Sequence, residues 1–238
     1  MKNVLVLTGA GQIGLAIVRS IGSGMKIVVS DKSAANAASA ALLLNNAGFD
    51  AVEHSCDISS KESVAELIKF SKELGPITAF VNAAGVSPSQ ASIETILKVD
   101  LYGTAMLIEE IGKVIEPNGV GVTISSQSGH RMPALGEEKD RLLATTPVEE
   151  LLSLDFLQRT SLIRCTRTSL PNDATLNALW LRRSNGEQRR HASTPFLREL
   201  SLRRWLLMSS TDREATSIRR CLRRVRQEDP VLLTKLQI

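Results

Sequence analysis

The chain has 238 residues, of which 43% are apolar, and a formal net charge of +4. That length and apolar content suit one α/β domain with a sizeable core, and no apolar run is long enough for a membrane span. Three cysteines (Cys56, Cys165, Cys221) and three histidines (His54, His130, His191) are scattered, so neither a disulfide framework nor a metal cluster is expected.

The start faintly resembles a secretory leader, with Lys2 ahead of apolar residues. Gly9, Gly11, Gln12 and Gly14 interrupt it and no small-residue cleavage site follows, so a cytoplasmic location is expected. Residues 3–7 (NVLVL) form an apolar run stopped by TGAG and read as a buried strand. A helix is expected over 12–21, a β-branched strand over 26–30, and an alanine- and leucine-rich helix over 34–46, closed by Gly48. A strand over 51–56 precedes Ser59 and Ser60, which cap the helix KESVAELIKFSKEL up to Gly75–Pro76. A fourth strand over 79–82, one long helix over 92–115 and a fifth strand over 121–125 complete the pattern. Strand and helix alternating at short intervals imply a parallel sheet covered on both faces.

GAGQIG, residues 9–14, places G-x-G-x-x-G between the first strand and the first helix. Gly9 permits the tight turn, Gly11 lets backbone approach a pyrophosphate, and Gly14 lets helix pack closely on strand. The helix N-terminus, beginning at Gln12 and Ile13, then faces the anion. Asp31 ends the second strand about 20 residues on, where its carboxylate would accept from a ribose diol and repel a 2′-phosphate. NAD is therefore favoured over NADP.

Several further stretches resemble the short-chain dehydrogenase/reductase family. VNAAG, with Asn82, Ala83, Ala84 and Gly85, is similar to that family's cofactor-bordering fourth-strand motif. CDI is similar to its third-strand end, which puts Asp57 and Ile58 beside the adenine ring. TISSQSG is similar to its fifth strand, with Ser126 at the place of the substrate-polarising serine. The resemblance covers roughly the first two-thirds of the chain. It implies a Rossmann-type doubly wound sheet, hydride transfer between NAD(H) and a small secondary alcohol or ketone, and a homo-oligomer in an intact relative. The chain departs from the pattern in two places: its glycine loop is one residue shorter than the family's commonest form, and Asp100 stands where many members have asparagine.

The family's reaction also needs a tyrosine as general acid/base and a lysine four residues later to lower its pKa. Tyr102 is the only tyrosine and is followed four residues later by Met106, so the pair is absent. The character of the chain also changes near Gln158. Residues 1–158 hold 12 Lys+Arg and 18 Asp+Glu, whereas residues 159–238 hold 17 and 7, and 16 of those 17 cations are arginine. A shifted reading frame accounts for both features. Codons allowed by residues 190–206 also spell A-R-I-N-S-I-S-P-G-I-I-S-T-P-L-A, similar to the family's sixth strand and the segment after it. In the same frame residues 163–172 permit Y-x-x-x-K, and residues 226–238 permit a segment similar to the family's late G-R-x-x-x-P-x-E-V. On this reading residues 1–158 are an incomplete nucleotide-binding domain and 159–238 a frameshift-derived, poorly ordered or truncated third. The fifth strand would then be left as an exposed sheet edge.

The alternative is a non-catalytic nucleotide-binding protein whose basic tail (Arg203, Arg204, Arg219, Arg220, Arg223, Arg224) meets nucleic acid or anionic lipid. The erratic hydrophobic period and Pro171, Pro195 and Pro230 count against a settled binding module, so no nucleic-acid or membrane partner is expected. Residues 129–158 read as an insertion near the substrate mouth, with PVEELLSLDFL as a helix.

Overall fold

A computed structural model describes residues 1–87, 89–125 and 135–158, and the backbone of a strand at Leu197–Leu200. Its elements run β1 (Val4–Thr8), α1 (Gln12–Ile21), β2 (Lys26–Asp31), α2 (Ala34–Asn46), β3 (Asp50–Ser55), α3 (Lys61–Leu74) and β4 (Ile77–Asn82). Then come α4 (Ile93–Ile96), a π-helical turn (Leu97–Gly103), α5 (Thr104–Val114), β5 (Val120–Ile124), α6 (Glu137–Thr145), a 3-10 segment (Val148–Ser153), α7 (Asp155–Gln158) and β6 (Leu197–Leu200). The sheet is parallel in the order β3-β2-β1-β4-β5-β6. The strand order reverses between β1 and β4, the place at which open parallel sheets form a ligand crevice beyond the carboxyl ends of their strands.

Every residue of β1 is buried, because helices cover both faces of the sheet. Val4, Val6, Val28 and Phe80 pack on the side of α3 and α5. Leu5, Leu7, Ile27, Val29 and Val81 pack on the side of α1 and α2. The two alternating sets come from the period of two along each strand. In α3, Val64, Leu67, Ile68 and Ser71 are the buried residues, spaced as one helical stripe, and the Ser60 hydroxyl accepts the Ser63 amide at 3.3 Å to start the helix.

Three sequence expectations need correction. The long helix over 92–115 is broken. Ser92 caps a single turn of α-helix, the backbone widens over Leu97–Gly103, and α5 resumes at Thr104. The widening lets Leu97 and Leu101 stay in a small apolar cluster with Leu143, Phe156 and Leu157 while Asp100 reaches the loop after β4. PVEELLSLDFL is likewise not one helix, because Leu154 is extended (φ −61°, ψ 123°) and separates the 3-10 segment from α7. The reason is packing: Leu151 is buried against the α3–α5 side and Leu157 against the turn, two directions a straight helix would not serve together. Finally, β5 is not a bare edge, since β6 pairs with it in parallel from Gly121↔Leu197 to Ile124↔Leu200.

One helix lies outside the elements expected from the sequence. In α6, Glu137, Glu138 and Asp140 occupy the first turn, where carboxylates favour a helix start, and Leu143 and Ala144 are buried. The expected poor order of 159–238 and the arginines of the alternative reading lie outside the described residues, the backbone of β6 apart. No described helix is long and apolar enough to cross a membrane. No metal-binding cluster of His, Cys, Asp or Glu occurs among the described residues.

Candidate functional site

The crevice at the carboxyl ends of β1 and β4 is built first by the glycine turn. Gly9 has φ +87°, and a Cβ there would meet the Ala84 amide and lie 2.6 Å from the Ala83 carbonyl oxygen. Side chains are thus barred twice, by backbone conformation and by the neighbouring loop. A Cβ on Gly14 would lie 2.6 Å from the Gly9 carbonyl and 2.8 Å from a Leu7 methyl, so this glycine serves helix–strand contact. Gly11 is different, with nothing within 4 Å of its Cβ position. It is the N-cap of α1 and makes no side-chain capping bond, which leaves the first-turn amides around Gln12 and Ile13 without one. An open approach beside such amides suits an anion.

Asp31 reaches back to this turn. Its Oδ2 accepts the Ala10 amide at 3.0 Å and its Oδ1 accepts the Ser33 amide at 2.9 Å. The acid at the end of β2 and the glycine turn after β1 are therefore in direct contact. Lys32, which belongs to none of the sequence motifs, forms an ion pair with Asp57 at 2.8 Å. Asp57 also accepts the Ser59 amide (2.9 Å) and hydroxyl (2.7 Å). Burial alone would raise the Asp57 carboxyl, but Lys32 and Ser59 outweigh it and hold the group down at about 2. Ile58, next in the chain, is buried in the α3–α5 core.

The fourth-strand motif is organised by Asn82, which is buried. Its Oδ1 accepts the Thr8 hydroxyl at 2.8 Å and the Ala84 amide at 3.2 Å, while its Nδ2 donates to Thr104 Oγ1 at 3.3 Å. One amide side chain thus joins β1, the Ala83–Ala84 bend and the start of α5. Beyond it, the Val86 amide donates to Asp100 Oδ1 at 3.0 Å. Burial pushes the Asp100 carboxyl up to about 6, against the opposing pull of that amide. Thr8, Thr104 and Asp100 belong to the site's support. Only Asp100 carried a sequence signal, its place in a motif similar to the family's.

Of the residues expected at the site, Gly9, Gly11, Gln12, Ile13, Gly14, Asp31 and Asn82 to Gly85 come together at the crevice. Asp57 and Ile58 flank it at the end of β3. Ser126 lies outside the described residues. Immediately before it, the hydroxyls of Thr123 and Ser125 are buried with no hydrogen-bond partner among the described residues. Tyr102 sits in the π-helical turn, packed against the α3–α5 core.

A family model described as short chain dehydrogenase matches residues 2–137. The chain is 35% identical over 162 residues to the short-chain dehydrogenase/reductase bsc3 of Alternaria brassicicola, covering 68% of this chain and 59% of that protein. It is 31% identical over 140 residues to carbonyl reductase (NADPH) 1 of Macaca fascicularis, covering 54% of this chain and 50% of that one. It therefore spans between half and three-fifths of the length of these two relatives. Among solved structures, menthone neomenthol reductase from Mentha piperita superposes with a TM-score of 0.58 at 16% identity, over 82% of this chain and 87% of that one. A short-chain dehydrogenase/reductase from Burkholderia phymatum in complex with NAD gives 0.55 at 17% identity, over 84% and 64% of the two chains. At those identities the likeness is one of fold.

Proposed function

Because the chain belongs to the short-chain dehydrogenase family, we propose that its first 158 residues hold a nicotinamide dinucleotide, NAD in preference to NADP. The bond from the Ala10 amide to the Asp31 carboxylate carries this reading, because it sets an acid against the glycine turn that would take the pyrophosphate. The uncapped start of α1 and the space at Gly11 receive the phosphates, Asp31 accepts from the adenosine ribose, and Asp57–Ile58 border the adenine. Asn82 to Gly85 border the nicotinamide half. The bound cofactor would supply or accept a hydride toward a small ketone or secondary alcohol, the chemistry of the family.

Ser126 is the residue that would polarise the substrate oxygen. The general acid/base and its lysine have no counterpart in the sequence, since Tyr102 is followed four residues on by Met106. We attribute the loss to a shifted reading frame after about Gln158, supported by three family-like motifs in one alternative frame. The protein of 238 residues then binds nucleotide without turning over ketones. The nucleotide sequence around the Gln158 codon, translated in all frames, tests the origin of the tail. Calorimetric titration with NAD and NADP and a ketone-reduction assay on protein of verified mass test the rest. The expected result is NAD binding without reduction. Robust ketone reduction, or no nucleotide binding by a chain shown by circular dichroism to be folded, overturns the reading.

A further inference from the structure

The π-helical turn Leu97–Gly103 touches both walls of the crevice within a few residues. At one end, a Cβ on Gly103 would lie 2.8 Å from the Ile58 carbonyl oxygen, so the turn is seated directly on the segment after β3. Next to it, Thr104 Oγ1 accepts from Asn82 at the end of β4. In its middle, Asp100 Oδ1 takes the Val86 amide at 3.0 Å, and a Cβ on Gly85 would stand 3.3 Å from the same oxygen. A residue is in effect inserted into the helix to bring this side chain to this loop.

We infer that Asp100 is a positioning residue for the nucleotide crevice, whose carboxylate holds the Gly85–Val86 backbone in place and releases part of that hold when it takes up a proton. The inference rests on the proposed dinucleotide reading of the crevice. A charged acceptor binds an amide about twice as strongly as a neutral one, so protonation weakens the bond to Val86 without removing the side chain. The proton goes onto the carboxylate from solvent and no covalent bond changes. Burial places this change near pH 6, inside the ordinary working range, where an exposed aspartate would already be fully ionised. The ionised form above that pH grips the loop, and the neutral form below it grips less. Asparagine at this position would keep an oxygen for the Val86 amide but would not titrate.

Other titratable groups lie on the elements that meet the turn. They are Lys98 and Tyr102 within it, Glu94 on α4, Glu109, Glu110 and Lys113 on α5, Glu149 and Glu150 on the 3-10 segment, Asp57 beside Ile58, Glu137, Glu138, Lys139, Asp140 and Arg141 on α6, and Asp155 at the start of α7. Lys139 stands 5.8 Å from the Phe156 ring centroid, in the cluster that packs on Leu97 and Leu101. Asp100→Asn leaves all of these in place and so isolates the contribution of Asp100.

The test uses the full chain as wild type, Asp100→Asn and Asp100→Ala. Without nucleotide, the amide resonance of Val86 is followed by NMR from pH 5 to 7.5. NAD affinity is measured by calorimetry over the same range. In the wild type the Val86 resonance should titrate with a midpoint near 6, and NAD binding should weaken about fivefold toward pH 5. Asp100→Asn, a permanently neutral acceptor, should flatten both curves and bind NAD at every pH about as wild type does near pH 5, roughly fivefold more weakly than wild type at pH 7.5, and Asp100→Ala should bind more weakly still. A Val86 resonance that does not move, or an Asp100→Asn variant with the wild-type pH profile, overturns the inference. If Val86 titrates as expected but no form binds NAD, the hold stands and the dinucleotide reading falls.

Discussion

The amide of Ala10 and the carboxylate of Asp31 meet at 3.0 Å across 21 residues of sequence, so the glycine turn and the end of β2 are one structural unit. Asp31→Asn keeps an oxygen near Ala10 but removes the charge facing a 2′-phosphate. The ratio of NADP to NAD dissociation constants, measured by calorimetry, should fall by about tenfold, the equivalent of roughly 1.4 kcal/mol. Asp31→Ala should also leave the Ala10 amide without its acceptor and lower stability in urea melts by about 1 kcal/mol. An unchanged nucleotide preference in Asp31→Asn would remove Asp31 from the specificity role.

The three glycines of the turn should separate by phenotype. Gly11→Ala fills open space and should leave the melting temperature within about a degree of wild type, since surface changes rarely exceed ~0.5 kcal/mol. It should nevertheless weaken NAD binding by about tenfold or more by crowding the pyrophosphate approach. Gly9→Ala and Gly14→Ala place a methyl against backbone at 2.6 Å and should lose stability before binding is considered. Thermal melts with parallel titrations distinguish the two classes. Equal destabilisation by all three would show that Gly11 is structural.

Asp100→Asn should stabilise the fold at neutral and alkaline pH. The carboxyl sits at about 6 when folded, above the 3.8 ordinary for an aspartate, because burial disfavours its charge. Stability linked to this group is fully present below the unfolded value and lost as pH rises through the folded one. Above pH 7 the variant should therefore exceed wild type by about 2–3 kcal/mol, and the advantage should vanish near pH 4. Denaturant melts at several pH values check this. A constant difference across pH would attribute the effect to shape instead of charge.

Removing residues after 158 should expose the edge of β5. Strand β6 supplies its parallel partner from Leu197 to Leu200, and Val120 at the end of β5 is already 47% exposed. A chain ending at 158 should self-associate through that edge, whereas one ending at 200 should not. Sedimentation velocity on the two truncated chains gives the comparison. Monomeric behaviour of the shorter one would show that β5 is protected without β6.

Some of these features were legible in the order of residues and some were not. The alternation of strand and helix, the bounds of α1 and α2, the Ser60 cap and the grouping of GAGQIG with Asp31 followed from local causes: apolar spacing, small polar caps and glycine's freedom at Gly9. Such signals act over a few neighbouring residues and survive in any reading of the chain. The π-helical turn did not follow, because residues 92–115 carry good helical spacing and the departure comes from Gly103 meeting Ile58 and Asp100 meeting Val86. The break at Leu154 arises in the same way, from two apolar clusters asking for different directions. Lys32 could be seen beside Asp31, but only the packing of β2 against β3 turned it toward Asp57. Sequence alone determined the sheet's alternating plan, the glycine turn and the absence of a Tyr-x-x-x-Lys pair. Tertiary structure decided how the crevice walls are braced and that β5 has a neighbour, because those outcomes depend on groups brought together from distant parts of the chain.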